Sequence, residues 1–268
     1  MNWLKSLLLP LEGSVYAGQH DDLFLAIVLL SVFFFVLISV LLAYFVWRYR
    51  RRPGDVTPDI SNNFKLELIW SVIPLIIVIG IFAWGFHGYL NASTAPGGAL
   101  EIQVVAKKWL WQFEYPDGMR TINEIHVPIG KPVRLIMSSE DVIHSFFIPS
   151  FRVKKDVVPN MYTDLWFTPL VEGEHTVFCT EYCGRGHSDM LAKVFVDSEE
   201  KFKEWQELGD ERTRTMPLAE LGAILYESRG CETCHSLDGS RRDGPSFKGV
   251  WGETHQFSDG SAALVDEN

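Results

Sequence analysis

Two long runs without charged residues limit what this chain of 268 residues can fold into. The first run spans residues 23–47, between Asp22 and Arg48. The second spans residues 68–90, where His87 is the only side chain that titrates near neutral pH. A helix needs about 20 apolar residues to cross the hydrocarbon core of a bilayer, so both runs are long enough. A buried core helix is the alternative, but the first run has no polar face. The sequence therefore predicts a transmembrane hairpin within residues 1–95, in contact with lipid.

The loop between the two runs predicts their orientation. It carries more basic than acidic residues: Arg48, Arg50, Arg51, Arg52 and Lys65 against Asp55, Asp59 and Glu67. Positively charged loops stay in the cytoplasm. We therefore expect both termini and the soluble part of the chain on the extracytoplasmic side.

The segment after the hairpin has the pattern of a β-protein. Short stretches of β-branched or alternating residues are separated by Pro, Gly and Asp. They are residues 101–115, 120–130, 132–139, 161–169, 174–179 and 191–197. Many short strands over about 100 residues predict a β-sandwich or barrel. A cupredoxin is a β-sandwich that presents metal ligands on loops at one end, and we assign residues 96–197 to such a domain.

The charge balance narrows the choice of partner. The formal net charge is −10, and its acidic excess lies after residue 91. This balance argues against nucleic acid and suits a basic protein partner.

The stretch CTEYCGRGHSDM at residues 179–190 collects ligands for a soft metal. It brings Cys179, Cys183, His187 and Met190 close in sequence, and His144 lies upstream in DVIHSFFIP. Sulfur and imidazole ligands together select copper or zinc. A disulfide or a structural zinc site could also use the two cysteines, but neither explains His144 and Met190.

This stretch resembles the CuA loop of subunit II of the haem-copper cytochrome c oxidases. The resemblance implies a dinuclear copper centre bridged by both thiolates. Its ligands would be His144, Cys179, the Glu181 carbonyl, Cys183, His187 and Met190. It also implies that the Glu181 carboxylate binds a Mg²⁺ ion shared with subunit I, since carboxylate oxygen is a suitable magnesium ligand.

A second motif follows a charged, helix-prone linker at residues 198–216. Residues 217–268 contain Cys231-Glu-Thr-Cys234-His235, the signature of covalent c-type haem. The two thiols add to the haem vinyl groups, and His235 becomes the axial iron ligand. A redox-active Cys-x-x-Cys pair is the alternative. All four cysteines are then used, two for copper and two for haem.

The haem unit resembles the fused cytochrome c domain of caa3-type oxidases, an all-α domain. By this resemblance the Pro245 carbonyl accepts a hydrogen bond from His235 and orients its ring. A histidine–methionine cytochrome needs a methionine after the attachment motif, and none follows Met216. We therefore expect the cytochrome domain within residues 217–268 to be partial.

The resemblance to oxidase subunit II extends to the membrane segment and the first predicted strand. Glu67-Leu-Ile-Trp followed by Pro74 implies that Glu67 lies at the mouth of a proton channel of subunit I, although an interface anchor would have the same position. WLWQFEY at residues 109–115 implies that electrons enter at Trp109. Alternating aromatic residues otherwise serve strand packing.

The resemblance implies an electron-input subunit of a bacterial plasma-membrane oxidase. Electrons would pass from cytochrome c, through the attached haem and CuA, to haem a of subunit I. There O₂ is reduced to water with proton pumping, so this chain has no catalytic residues of its own. Partners would include subunit I, subunit III and a donor cytochrome. A CuA subunit of a nitric oxide reductase and a stand-alone membrane-tethered electron carrier are the alternatives.

Overall fold

The computed structural model describes residues 2–54, 62–215, 217–228, 230–256 and 260–265. Asp55 and Asp59, on which part of the orientation argument rests, lie outside the described residues. So does Met216, at the end of the predicted linker.

Three helices form the N-terminal part: α1 (Asn2–Leu8), α2 (Val15–Arg48) and α3 (Phe64–Ser93). By length and composition, α2 and α3 could each cross a membrane. Both have polar caps, because Ser14 Oγ accepts from Ala17 N and Asn63 Oδ1 accepts from Leu66 N, each at 3.2 Å. The helices extend beyond the apolar runs at both ends. Helix α3 consequently continues to Ser93, three residues beyond the second apolar run.

Ten strands form the two sheets of a sandwich. They are β1 (Leu100–Lys107), β2 (Leu110–Glu114), β3 (Arg120–Ile122), β4 (Glu124–Pro128), β5 (Val133–Ser139), β6 (His144–Ile148), β7 (Val153–Val157), β8 (Thr163–Phe167), β9 (Gly173–Cys179) and β10 (Leu191–Asp197). One sheet has the order β3-β2-β1-β5-β8, and the other β4-β10-β9-β6-β7. The β1–β5 and β4–β10 pairs are parallel, and the other pairs are antiparallel. This arrangement confirms the predicted cupredoxin-like sandwich.

Alternation of buried and exposed residues explains most of these strands. In β5, for example, Val133, Leu135 and Met137 are fully buried, and the residues between them are not. Every predicted segment contains a strand, but two predicted segments each contain two. Residues 101–115 divide into β1 and β2, and residues 120–130 into β3 and β4. Strands β6 and β7 were not predicted.

The sandwich contacts the ends of α2 and α3 that lie away from the arginine-rich loop. Ser14 Oγ, at the start of α2, donates to Phe151 O at 2.8 Å. Trp166 Nε1, in β8, donates to Asn91 O near the end of α3 at 3.2 Å. The loop joining the two helices therefore lies at the opposite end of the hairpin from the sandwich.

A long helix, α4 (Glu199–Thr215), follows the last strand of the sandwich. Its Trp205 ring stacks on His126 with centroids 4.2 Å apart, and Phe202 belongs to the core. The predicted linker is thus a helix that packs on the sandwich. Beyond it the described residues form α5 (Leu218–Ser228), α6 (Cys231–Cys234) and a hairpin of β11 (Thr254–Gln256) and β12 (Ala262–Leu264). The all-α cytochrome domain stays a prediction.

Candidate metal centre

The predicted copper ligands come from the ends of three strands. Cys179 is the last residue of β9, and His144 is the first residue of β6, which pairs with it. Cys183 lies in the following loop. His187 begins a short 3₁₀ helix, and Met190 directly precedes β10. The sequence placed His144 between strands, whereas the structure places it at the start of one.

These side chains converge around the two thiols. Cys179 Sγ and Cys183 Sγ are 3.8 Å apart. His144 Nδ1 is 3.9 Å from Cys179 Sγ, and His187 Nδ1 is 3.6 Å from Cys183 Sγ. Two weaker donors complete the set, with Met190 Sδ 3.8 Å from Cys183 Sγ and the Glu181 carbonyl 3.3 Å from Cys179 Sγ. Each thiol thus has one imidazole and one weaker donor beside it.

The distances fit shared metal ligation. Bonds to late first-row metals are about 2.3 Å from sulfur and about 2.0 Å from imidazole nitrogen, by the example of zinc. Two sulfurs on one ion can then be up to about 4.6 Å apart, and a sulfur and a nitrogen up to about 4.3 Å. The separations at both thiols are shorter than these limits. The side chains fit a pair of ions bridged by two thiolates, with one histidine at each end.

Asp141 fixes the orientation of His144. Its Oδ1 accepts from His144 Nε2 at 2.8 Å, and its Oδ2 accepts from Lys108 N at 2.8 Å. Burial alone would raise the pKa of Asp141, but these bonds and one from Val142 N hold it below the usual value. The hydrogen bond at Nε2 leaves Nδ1 of His144 directed at Cys179. Carboxylates commonly orient metal-binding histidines in this way. The sequence analysis did not identify Asp141, although it quoted the segment that contains it.

In the absence of metal, the surroundings lower the pKa of one thiol and raise the pKa of the other. Burial tends to raise the pKa of Cys179, but hydrogen bonds with His144 and with the backbone of Ser145 and Glu181 lower it to about 6. Burial and the adjacent Cys179 thiolate raise the pKa of Cys183 to about 12. A low dielectric cannot readily hold two bare thiolates side by side. The apo site therefore holds one thiolate and one thiol at neutral pH.

Trp109 lies directly over the loop between the cysteines and His187. Its Nε1 donates to Cys183 O at 3.3 Å. A Cβ added at Gly186 would lie 2.5 Å from Trp109 Cδ2, and one at Gly184 would lie 3.3 Å from Cζ2. The indole therefore rests on the loop backbone, and a side chain at Gly186 would displace it. Packing against Trp109 thus explains why glycine occupies positions 184 and 186, and the sequence alone did not predict this contact.

Glu181 and Glu67, for which Mg²⁺ binding and a place at a proton channel were predicted, have fewer contacts that bear on these roles. Glu181 is exposed beside the copper loop. Among the described residues, the only group of three His, Cys, Asp or Glu side chains with converging ligand atoms is His144, Cys179 and Cys183. Glu67 is half-buried in the first turn of α3, where the helix dipole favours a carboxylate. In the described part of the chain, Glu181 therefore belongs to no such group of three or more side chains.

The haem motif lies on the single turn of α6. Cys231, Cys234 and His235 are all half-buried. His235 Nδ1 donates to Pro245 O at 2.7 Å, and a carbonyl can only accept, so Nε2 is left free. A Cβ at Gly244 would lie 2.6 Å from His235 Cε1. These contacts fix the orientation of the His235 imidazole and leave Nε2 available, which is what an axial iron ligand requires.

Exposed apolar side chains follow this motif in the sequence, and one of them contacts it. Leu237 is 57%, Phe247 41% and Trp251 71% exposed, and the Phe247 ring stacks on His235 with centroids 4.4 Å apart. Contiguous exposed apolar surface usually marks a binding site. The residues present therefore fit an apolar macrocycle better than a free redox-active cysteine pair.

The haem motif also contacts the sandwich next to the copper loop. A Cβ at Gly230 would lie 3.0 Å from Leu110 Cδ2 and 3.3 Å from Ile122 Cγ2. Arg185, between Cys183 and His187, forms an ion pair with Asp243 at 3.7 Å. Leu110 directly follows Trp109. The haem motif, Trp109 and the copper loop therefore lie side by side.

The fold and the site define a membrane-anchored β-sandwich with a sulfur- and imidazole-rich metal centre. Comparison with known proteins makes this specific. Residues 6–87 match the family described as cytochrome C oxidase subunit II, transmembrane domain, and residues 118–197 match cytochrome C oxidase subunit II, periplasmic domain. The alternative cytochrome c oxidase subunit 2 of Bradyrhizobium diazoefficiens is 31% identical over 221 residues, covering 71% of this chain and 80% of that protein. The chain belongs to the cytochrome c oxidase subunit II family.

Other relatives carry the same description. Cytochrome c oxidase subunit 2 of Thermostichus vulcanus is 31% identical, over 74% of this chain and 77% of that protein. Among solved structures, the periplasmic domain of subunit II of Bradyrhizobium japonicum cytochrome oxidase is similar, with 29% identity and a TM-score of 0.43. That similarity covers 44% of this chain and 99% of the solved one.

Proposed function

We propose that this chain is the electron-input subunit of a haem-copper cytochrome c oxidase of the caa3 type. In this function it takes electrons from cytochrome c through its own c-type haem and CuA, and delivers them to haem a of subunit I. Oxygen reduction and proton pumping belong to the partner. The observation that carries the proposal is the convergence of four donor atoms around two thiols 3.8 Å apart.

The ligand set favours two copper ions over one zinc. Structural zinc is held by four ligands in a closed tetrahedron, without a thioether. Here there are two thiolates, two imidazoles, one thioether and one carbonyl, which suit two ions and the soft preference of copper. When bound, the copper pair supplies a one-electron redox couple whose charge is shared between two ions and two sulfurs.

The protein holds four of these ligands still and away from water. Cys179, Cys183 and Met190 belong to the main hydrophobic core, and Met190 is fully buried. His144 is fully buried as well, and Asp141 fixes its ring. A rigid, apolar surrounding limits the change in geometry when an electron arrives or leaves. Fast electron transfer requires such a small reorganisation.

Trp109 is the proposed point at which electrons enter. It joins the surface of the sandwich to the copper loop through its hydrogen bond to Cys183 O. The proposed haem ligands are Cys231, Cys234 and His235, with Pro245 holding the His235 ring. Their support is the contact of Gly230 with Leu110, which brings the haem motif next to Trp109.

The remaining roles depend on the partner subunits. Glu67 is proposed at the mouth of a proton channel of subunit I, because it begins α3 at the loop end of the hairpin. Glu181 is proposed to bind Mg²⁺ together with groups of subunit I and water, because its carboxylate is exposed beside the copper loop. The arginine-rich loop would be cytoplasmic in the bacterial plasma membrane, and the sandwich outside. Subunit III and a donor cytochrome c complete the proposed partners.

Electron paramagnetic resonance of the oxidised, copper-loaded protein tests the proposal. We expect hyperfine structure from one unpaired electron shared by two equivalent copper nuclei. Cys179→Ser and Cys183→Ser should abolish this signal and cytochrome c oxidation while the haem absorption remains. Ser188→Ala, in the same loop, is the matched control and should change neither.

Three results would contradict the proposal. A single-copper spectrum in the unmodified protein would reduce the site to a mononuclear one. Cytochrome c oxidation that persists in either cysteine variant would remove the copper loop from the electron path. Consumption of nitric oxide rather than oxygen by the purified assembly would move the chain to a nitric oxide reductase.

A further inference from the structure

A buried arginine joins the sandwich to the first membrane helix. Arg152 lies between β6 and β7, and its side chain is 6% exposed. Its Nε donates to Asp21 Oδ1 and its Nη2 to Asp21 Oδ2, each at 2.9 Å. Its other donors reach three carbonyls, those of Pro10, Leu11 and Pro149. A guanidinium has five N–H donors, so every one of them has an acceptor.

Asp21 is the matching half of this joint. Its side chain is fully buried, and it lies in the second turn of a helix that is apolar from Leu23 to Trp47. Two parallel hydrogen bonds between a guanidinium and a carboxylate fix distance and angle together. His20 Nδ1, 3.2 Å from Asp21 Oδ1, is the other titratable group facing the carboxylate. A buried ion pair of this kind is often no more stabilising than apolar packing, so its geometry is the more informative property.

The backbone around Arg152 strengthens the joint. Arg152 itself is in the left-handed region, with φ of 57°. Such a backbone is costly for a residue with a side chain and is kept only where the surroundings enforce it. Gly13 N donates to Ser150 O, and Leu170 N donates to Gly13 O, each at 2.8 Å. A Cβ at Gly13 would lie 2.9 Å from the Phe151 ring, so the two backbones are in close contact.

Arg152 follows the strand that begins with a proposed copper ligand, His144. Strand β6 begins at His144 and ends four residues before Arg152. Asp21 lies two residues before the apolar run at residues 23–47. The Asp21–Arg152 pair therefore connects the copper-binding strand to the helix that anchors the protein in the membrane.

We propose that Asp21 and Arg152 are positioning residues that hold the copper domain at a fixed place on the membrane helix. They thereby set the distance over which electrons leave the copper site for the acceptor in the partner subunit. This inference rests on the proposed function in placing copper at Cys179 and Cys183 and an electron acceptor in the partner subunit. Electron-transfer rates fall exponentially with distance, so a looser joint slows this step. The copper ligands themselves are not touched.

Asp21→Asn in the assembled oxidase is the direct test. It keeps the shape of the side chain and removes the charge. We expect the copper spectrum to be unchanged and the rate of electron transfer from copper to the partner haem, after photochemical injection, to fall. By analogy with small misplacements in enzymes, the loss should be on the order of 10- to 100-fold. Lys193→Ala is the control, because Lys193 forms an exposed ion pair with Glu174 on the same sandwich. It should leave the rate unchanged.

A wild-type rate in a fully assembled, copper-loaded Asp21→Asn variant would overturn the proposal and leave the pair a purely stabilising role. If that variant does not assemble, Arg152→Lys decides, because a lysine keeps the charge but has only three donors. A wild-type rate in the lysine variant would likewise overturn the proposal.

A distance measurement on the isolated full chain in lipid nanodiscs separates this inference from the copper proposal. Spin labels on noncanonical residues at Phe35 of α2 and Glu174 of β9 report the distance between helix and sandwich. We expect a narrow distribution in the unmodified protein and a broad one in Arg152→Lys. Equal distributions would overturn the inference. Loss of the copper spectrum in the unmodified protein would count only against the copper site, because the label distance does not depend on metal.

Discussion

The copper loop and the haem motif present their proposed ligands in contrasting settings. The copper ligands lie at the ends of paired strands, and Cys179, Cys183 and Met190 are part of the main core. The haem ligands lie on one helical turn, half-buried, beside exposed apolar side chains such as Leu237 and Trp251. The first site is formed by the packing of the protein. The second has its ligands in order, but its apolar surroundings need the macrocycle to complete them.

The largest expected effect follows from this contrast. We expect the variant with Cys231→Ala and Cys234→Ala to lose covalent haem and most of the hydrogen-exchange protection in residues 217–265, because the macrocycle supplies the missing apolar contacts. The sandwich should keep its protection. Chelating copper from the unmodified protein is the matched comparison and should leave the strands protected. Unfolding of the sandwich on copper removal would contradict the statement that packing of the protein alone forms the copper site.

A smaller effect is expected from the carboxylate behind the copper site. Asp141→Asn removes the charge that holds His144, and changes of this type cost about 10- to 100-fold in metal affinity. Competition with a copper chelator would measure the loss. Glu140→Gln is the control, since Glu140 is the adjacent exposed carboxylate and pairs with Lys107. Equal affinities for the two variants would show that the core alone orients His144.

Copper uptake should also depend on pH. The pKa of Cys183 is raised to about 12, so this thiol is protonated at neutral pH and must release its proton to bind copper. The pKa of Cys179 is lowered to about 6, so it adds a second released proton only below that pH. Affinity should therefore rise about tenfold per pH unit near neutrality for each proton released. Calorimetry in buffers of different protonation enthalpy measures this number, and a pH-independent affinity would contradict the assignment.

The smallest effect concerns the contact between the two regions. The Arg185–Asp243 pair spans 3.7 Å, and the Arg185 side chain is 88% exposed. Exposed pairs add little to stability, so Arg185→Ala should leave the unfolding midpoint unchanged. Electron transfer from haem to copper should fall a few-fold at low salt and match the unmodified protein at high salt. Arg241→Ala, an exposed arginine of the haem motif region, is the control. A salt-independent loss would mean that Arg185 acts on the copper loop instead.

Short motifs allowed ligands for both cofactors to be predicted from the sequence. Cys179, Cys183, His187 and Met190 lie within one loop, so their proximity needed no knowledge of the fold. His144 needed the resemblance, because only the β6–β9 pairing brings it to Cys179. The hydrogen bond between Asp141 and His144, and the contact of Trp109 with Gly186, were not predicted. They depend on side-chain directions that spacing does not specify.

The missed elements have physical reasons too. Strand β7 lies at the edge of its sheet, and its central residues Lys154, Lys155 and Asp156 are exposed. Edge strands commonly carry charge, which obscures the alternation expected of a strand. Residues 101–115 were treated as one segment because the β1–β2 turn at Lys108 and Trp109 contains neither Gly nor Pro. The Asp21–Arg152 pair joins residues far apart in the chain, and no local sequence pattern predicts it.

The parallel pairing of β4 with β10 has a consequence for the order of assembly. Strand β10 begins directly after Met190, and its partner lies more than sixty residues upstream, with Val194 opposite Ile125. Such non-local pairs form slowly, because closing a long loop precedes any gain from the contact. The ligand loop is held in place by β9 and β10 together, so its geometry is complete only when this last strand has docked. Whatever delivers copper must therefore meet a finished sandwich and not a growing polypeptide.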